Sequence, residues 1–155
     1  MQKLFLTFFG AGLSPKAPGT VGSVAAAIVG YFILKFFSAT TLFLATILIS
    51  LIAISVINAY EKQSGEHDNG WIVIDEVAGV WLAFVISGAT EIQMLLSLVF
   101  FRVFDILKPS IIGRIDRDVK GGLGVMGDDI VAGFVAGIAS SMIYGILLKF
   151  NLASF

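Results

Sequence analysis

Long apolar runs separated by short polar segments make up most of the chain. Each run is apolar around nearly its whole helical circumference, as expected of a helix enclosed by lipid or by a dry protein core. A membrane span needs about 20 residues, so runs of this length predict an all-α, compact bundle embedded in a membrane. We expect about five main helices, at residues 21–37, 42–57, 71–87, 92–107 and 128–150.

The last of these predicted helices has small residues at helical spacing. Gly133 and Gly137 lie four positions apart, as do Ala132 and Ala136, so each pair shares a face. Small residues at this spacing allow two helices to approach closely. The sequence has no internal repeat or linker, and we therefore expect a single domain over residues 1–155.

The basic residues indicate how such a bundle is oriented. If all five helices cross, the segments 10–23, 58–70 and 108–127 lie on one side of the membrane. When each lysine and arginine is assigned to its nearer helix end, eight of the ten fall on that side. Because cytoplasmic segments carry the excess of positive charge, this polar side is expected to face the cytoplasm. Every acidic residue except Glu91 falls on the same side.

Composition excludes several classes of protein. Hydrophobic residues make up 57% of the 155 residues and charged residues only 14%, too few to cover the surface of a free soluble domain of this size. The net charge of −1 provides no basic field, so we expect no nucleic-acid partner. The chain has no cysteine and one histidine. A metal site would therefore have oxygen ligands, which favour Mg²⁺, Mn²⁺ or Ca²⁺.

Two pairs of adjacent carboxylates occur beside apolar runs. Asp75 and Glu76 interrupt one run, where acids are costly unless a cation or partner compensates them. A divalent ion would do so; the alternative is a pair that only stabilises the positive end of a helix dipole. Asp128 and Asp129 follow a glycine-rich segment at the predicted start of the last helix. They are either further metal ligands or simple caps of that helix.

A third group combines basic and acidic side chains. Arg102, Asp105 and Lys108 are spaced three apart and share one face of the fourth predicted helix. Arginine and lysine both bind phosphate, so this face is a candidate anion clamp, with Asp105 orienting the cations or holding a metal. The alternative is a local stripe of salt bridges.

Two polar loops add further candidates. The segment 10–23 is rich in glycine and proline and enters a helix, so its free backbone N–H groups favour an anion. It is not a P-loop, and the alternative is a hinge before the first span. The single histidine, His67, is either a general acid for a leaving alkoxide or a solvated loop residue. The candidate phosphate ligands of the first loop are Ser14, Lys16, Thr20 and Ser23.

Five segments form a recognisable set of motifs, at residues 10–23, 67–70, 74–79, 101–109 and 116–133. Together, and in this order, they resemble the phosphatidylglycerophosphatase A family over nearly the whole chain. The resemblance implies a Mg²⁺-dependent enzyme of the bacterial inner membrane. Mn²⁺ is an alternative ion because the candidate ligands are oxygens, and the basic residues place the active site on the cytoplasmic side. It implies hydrolysis of phosphatidylglycerophosphate to phosphatidylglycerol and phosphate, with the phospholipid as the partner in the bilayer.

The resemblance also implies roles for individual residues. The candidates for the metal site are Asp75, Glu76, Asp105, Asp128 and Asp129. The candidates for holding the phosphate are Ser14, Thr20, Ser23, Arg102 and Lys108. Within the whole set we expect Asp75, Glu76 and His67 to take part in catalysis. We favour direct attack of an activated water on phosphorus, with a covalent aspartyl-phosphate as the alternative.

Two other functions compete with a lipid phosphatase. An ion-coupled transporter or channel subunit should place its ionisable groups near the membrane midplane, often beside a broken helix, whereas this chain concentrates them at one interface. A non-catalytic scaffold would leave two acidic pairs and the neighbouring basic groups without an explanation.

Overall fold

The computed structural model describes residues 1–65, 69–150 and 152, and this part of the chain is helical without strands. The five predicted main helices are present and the all-α prediction is confirmed. A short 3₁₀ turn covers Ala11–Leu13. The α-helices of the described part are α1 (Gln2–Leu6), α2 (Pro18–Phe36), α3 (Ala39–Ser64), α4 (Ile74–Ser87), α5 (Glu91–Leu107), α6 (Ile111–Asp118) and α7 (Gly122–Lys149).

Two predicted boundaries are wrong, and both errors concern polar segments that are helical. α3 continues past residue 57 to Ser64, and α7 begins at Gly122 rather than at residue 128. The glycines before residue 128 serve packing rather than a loop. A Cβ atom at Gly122 would lie 2.4 Å from the backbone oxygen of Ile54, so only glycine lets α7 start against α3.

α4 lies at the centre of the bundle and packs against α2, α3, α5 and α7. Its side chains are buried on almost every face. With 14 residues it is about 21 Å long, shorter than the roughly 30 Å hydrocarbon core of a bilayer. The apolar character of α4 on nearly all faces is therefore explained by the helices that enclose it rather than by contact with lipid.

α7 crosses α4 at very short range. A Cβ atom at Gly133 would lie 2.2 Å from the backbone oxygen of Gly79, and one at Gly137 would lie 2.8 Å from that of Ala83. The predicted role of these small residues is confirmed. The close crossing also brings together the N-terminal parts of the two helices, which carry the two acidic pairs.

Three helices of the described chain are long and apolar enough to cross a membrane: Pro18–Phe36, Ala39–Ser64 and Gly122–Lys149. Large apolar side chains on their outer faces are exposed, among them Leu48 and Phe134. A continuous apolar surface of this kind is typical of a protein that faces lipid rather than water.

Successive main helices run in opposite directions, so one end of the bundle gathers the starts of α2, α4 and α7 and the ends of α3 and α5. At this end Arg102 of α5 contacts Ser23 of α2, and the backbone N–H of Gly122 donates a 2.7 Å hydrogen bond to Asn58 of α3. Most of the candidate residues lie at this end.

Candidate active site

A small polar cavity of about 120 Å³ opens at this end of the bundle. Lys108 lines it together with six carboxylates, and all five residues predicted for a metal site are among them. The carboxylates are those of Asp75, Glu76, Asp105, Asp116, Asp128 and Asp129.

Three of these carboxylates converge closely. One oxygen each from Asp75, Glu76 and Asp129 lies within 4.8 Å of the others. Glu76 is 9% exposed and Asp129 is 3% exposed, so little water screens their charges. Buried like charges at this range cannot all be ionised unless a cation compensates them. We call Asp75, Glu76 and Asp129 the acidic cluster.

The starts of two helices position the acidic cluster. Asp75 and Glu76 lie in the first turn of α4, where the helix dipole favours negative charge. The predicted interaction of this pair with the helix dipole is therefore present in the structure. Asp128 and Asp129 lie almost two turns inside α7, whose N-cap is Gly121. The interpretation of this second pair as helix caps is therefore wrong, because α7 begins earlier than the sequence suggested.

Burial changes the protonation of the two carboxyls on α4, which is not one of the three candidate spans. Burial raises the pKa of Asp75 above its ordinary value, and the neighbouring charge of Glu76 adds to the effect. Burial likewise raises the pKa of Glu76 to about 8, with the carboxylates of Asp129 and Asp105 contributing. Without a cation, this cluster therefore retains protons at neutral pH, and a bound cation would replace them.

One oxygen of the cluster lacks a partner. Oε2 of Glu76 is buried and has no hydrogen-bond partner within the described residues. A buried polar atom left in this state costs about 1–3 kcal/mol. A hard divalent cation between the three carboxylates would satisfy this oxygen and compensate the charges, so the residues present fit such an ion.

Arg102 borders the acidic cluster on the side of α2. Its Nη1 lies 3.8 Å from Oε1 of Glu76, donates a 3.4 Å hydrogen bond to Oγ of Ser23 and also contacts the carboxylate of Asp105, as the sequence predicted. Its Nε is buried and has no hydrogen-bond partner in the described part of the chain. Arg102 therefore has an unused donor directly beside the cluster, where an anion could be held.

The start of α2 packs tightly on this pair. A Cβ atom at Gly19 would lie 2.4 Å from Oε1 of Glu76 and 3.2 Å from Nη1 of Arg102. Glycine permits this approach without displacing either side chain, and the approach places the free backbone N–H groups at the start of α2 near the cluster. Gly19 thus has a packing role in the site.

Lys108 and Arg102 have different partners in the structure, and their predicted common role as an anion clamp stays a prediction. α5 ends at Leu107, and Lys108 follows it in a left-handed conformation with φ of 44°. Its Nζ contacts the carboxylate of Asp116 and donates a 2.7 Å hydrogen bond to Oδ2 of Asp128. Burial opposes the charge of Lys108, but these two carboxylates outweigh it and raise its pKa above the ordinary value.

Sequence reasoning missed Asp116. The sequence analysis included this residue only within the motif at residues 116–133 and gave it no role. In the structure it lies on α6, lines the cavity and pairs with Lys108. The available signal was the alternation of Ile112 and Ile115 with charged residues, which is typical of a short amphipathic helix packed on the bundle.

The remaining candidates lie outside the cavity. Ser23 is buried and reaches the site through Arg102, whereas the described residues that line the cavity do not include Ser14, Lys16 or Thr20. The hydroxyl of Ser14 donates a 2.9 Å hydrogen bond to the backbone oxygen of Lys16, and Thr20 is exposed at the start of α2. His67 lies outside the described residues.

Comparisons with known proteins match the chain to named phosphatases. The chain is 40% identical over 129 residues to phosphatidylglycerophosphatase A of Escherichia coli (strain K12), covering 83% of this chain and 74% of that protein. It is 36% identical over 129 residues to the protein of the same name from Haemophilus influenzae, covering 83% and 79%. It is also 36% identical over 137 residues to a putative phosphatidylinositol-3-phosphatase of Bacteroides thetaiotaomicron, covering 82% and 83%. No solved structure matches the chain.

The family comparison covers the whole site. The model of the family described as phosphatidylglycerophosphatase A matches residues 4–144, a range that includes every residue lining the cavity. The chain is thus a phosphatase enzyme, and it belongs to the phosphatidylglycerophosphatase A family.

Proposed function

We propose that this protein is a lipid phosphatase that uses a divalent cation, Mg²⁺ or Mn²⁺, to hydrolyse phosphatidylglycerophosphate to phosphatidylglycerol and phosphate. One observation carries the proposal: three carboxylates, two of them buried and one half-buried, converge within 4.8 Å, with the guanidinium of Arg102 3.8 Å from Glu76. A phosphate needs both kinds of group, because a cation held by the carboxylates and a guanidinium can bind different phosphoryl oxygens. Family membership and the names of the relatives support the substrate.

The acidic cluster would hold the cation. Asp75, Glu76 and Asp129 are its ligands in this proposal, with Asp105 and Asp128 close enough to complete or orient the set. When bound, the ion would neutralise charge on the phosphoryl group and make water a better nucleophile at neutral pH.

Arg102 would bind and orient the phosphoryl group. Ser23 and Asp105 hold its Nη1 in place, while its Nε remains free to donate. The start of α2, packed against the same guanidinium through Gly19, contributes backbone N–H groups that favour an anion. The phosphate would therefore lie between α2 and α5.

Lys108 would act from the opposite wall of the cavity. Because Asp116 and Asp128 raise its pKa, the ammonium group stays charged over the whole physiological pH range. It fixes the orientation of Asp128, next to the acidic cluster, and adds positive potential at the cavity mouth. Its predicted contact with the phosphate remains part of the proposal.

The proposed reaction is an in-line displacement at phosphorus. Water forms a bond to phosphorus and gives a proton to a cavity carboxylate, while the bond from phosphorus to the glycerol oxygen breaks. The leaving alkoxide takes up a proton, for which His67 is the proposed general acid. Attack by a carboxylate, giving an aspartyl-phosphate that water then hydrolyses, is the alternative route.

The proposed location is the bacterial inner membrane, with the cavity on the cytoplasmic side. The cavity lies at the end of the bundle where eight of the ten lysines and arginines were assigned, and such an excess marks cytoplasmic segments. Lys35, one of the other two, lies near Glu91 at the opposite end.

Phosphate release by the purified full-length protein in detergent micelles tests the substrate. Phosphatidylglycerophosphate should be preferred over glycerol 3-phosphate by about a thousandfold in kcat/KM, roughly 4 kcal/mol, because only the lipid is anchored beside the site. It should also be preferred over phosphatidylinositol 3-phosphate. Comparable values for the lipid and glycerol 3-phosphate would contradict a lipid phosphatase. A preference for the inositol lipid would mean that this lipid, rather than phosphatidylglycerophosphate, is the substrate.

A further inference from the structure

An apolar groove runs along the outside of the bundle between α2 and α5. We call it the α2–α5 groove. Its volume is about 590 Å³, and the ring of Phe84 from the buried helix α4 forms its floor. The residues that form its walls include Val24, Ala27, Ile28, Met94, Leu95 and Leu98.

The groove leads to the candidate active site. Leu98 lies one turn before Arg102 on the same face of α5, and Val24 directly follows Ser23, whose Oγ is 3.4 Å from Nη1 of Arg102. Thr20 lies one turn before Val24 on the same face of α2, just beyond the residues that line the groove. One end of this apolar surface therefore meets a buried guanidinium with an unused donor.

The dimensions and polarity of the groove match one kind of molecule. From Val24 to Phe32, the α2 wall measures about 12 Å along the helix axis. The walls along this length are apolar, and the charged residue at the far end is Glu91. An amphiphile with an anionic head and a linear hydrocarbon tail complements this arrangement. A soluble phosphate ester would contact only the cationic end of the groove, at Arg102.

We propose that the α2–α5 groove binds an acyl chain of the lipid phosphomonoester whose phosphate is held at Arg102. The inference rests on the proposed function and extends it by specifying the position of the bound lipid. Transfer of an acyl chain from bilayer to groove yields little hydrophobic free energy, because lipid tails are as apolar as the groove. The groove instead orients the lipid, so that the phosphate is delivered next to the acidic cluster.

Filling the groove tests this placement by kinetics. Ala27→Phe puts a large ring into the groove, and Val29→Phe, on the opposite face of α2 and outside the groove, is the matched control. With long-chain phosphatidylglycerophosphate, Ala27→Phe should lower kcat/KM tenfold or more, and with a dihexanoyl analogue less than twofold. Val29→Phe should behave as the unsubstituted protein with both. Unchanged kinetics for Ala27→Phe, or an equal loss with both substrates, would overturn the proposal.

A labelling experiment tests it without turnover. A non-hydrolysable phosphonate analogue with a photoreactive group on its acyl chain should label α2 and α5 preferentially, and Arg102→Met should weaken this preference. Photoreactive phosphatidylcholine should label all outward-facing helices. The same pattern for both lipids would overturn the groove proposal. Because labelling needs no hydrolysis, failure of the groove is distinguishable from failure of the proposed reaction, which absence of phosphate release would reveal.

Discussion

Gly19→Ala should impair the enzyme strongly while leaving the bundle folded. The added Cβ atom would lie 2.4 Å from Oε1 of Glu76, whereas ordinary contacts are 3.4–4 Å, and 3.2 Å from Nη1 of Arg102. Relief of this overlap requires a displacement of roughly 1 Å, and a misplacement of about 1 Å in a catalytic site costs on the order of 100-fold in rate. The change adds one methyl group and removes no charge or hydrogen bond.

The assay for this prediction is kcat/KM for phosphate release from phosphatidylglycerophosphate, with thermal unfolding in the same detergent as the measure of folding. Gly145→Ala is the matched control, because a Cβ atom at Gly145 meets nothing within 4 Å. It should keep full activity and gain up to about 1 kcal/mol in helix stability. Near-normal turnover of Gly19→Ala would refute the claim that Glu76 and Arg102, packed under α2, form the reacting site.

Further substitutions and conditions test other parts of the account. Glu76→Gln should reduce turnover by about a hundredfold or more, on the order of 3 kcal/mol, whereas Asp118→Asn, at an exposed pair with Arg117, should have little effect in the same phosphate-release assay. Lys108→Met should impair activity and Lys62→Met should not; equal losses would mean that only general surface charge matters. The cation must displace a proton from Glu76, whose pKa is about 8. The apparent affinity for Mg²⁺, measured by activity titration, should therefore rise as pH increases towards 8. An affinity independent of pH from 6 to 8 would count against this carboxyl as a ligand.

The sequence was sufficient to predict the helical bundle and most of the cavity. Charges inside apolar runs are costly, so the exceptions at Asp75, Glu76 and Asp105 indicated a site before any geometry was known. The spacing of Gly133 and Gly137 likewise predicted the close crossing that brings α4 and α7 together.

The errors concern positions where tertiary packing decides the local structure. Glycines before residue 128 suggested a loop, but Gly122 is required because α7 starts against the backbone of α3. Helical spacing suggested that Lys108 shares a face with Arg102, but Lys108 follows the last residue of α5 and its side chain pairs with Asp116. The sequence predicted the end of α5 at residue 107. It did not predict the pairing of Lys108 with Asp116 or the docking of α6, because both depend on contacts between segments that are distant along the chain.

Inorganic phosphate release from phosphatidylglycerophosphate by the metal-stripped protein tests the central claim most directly. The acidic cluster offers only oxygen ligands, so activity should be absent in EDTA and should return on addition of Mg²⁺ or Mn²⁺, with no requirement for Zn²⁺. Full activity in EDTA would contradict the account, because the three converging carboxylates would then have no cation to hold.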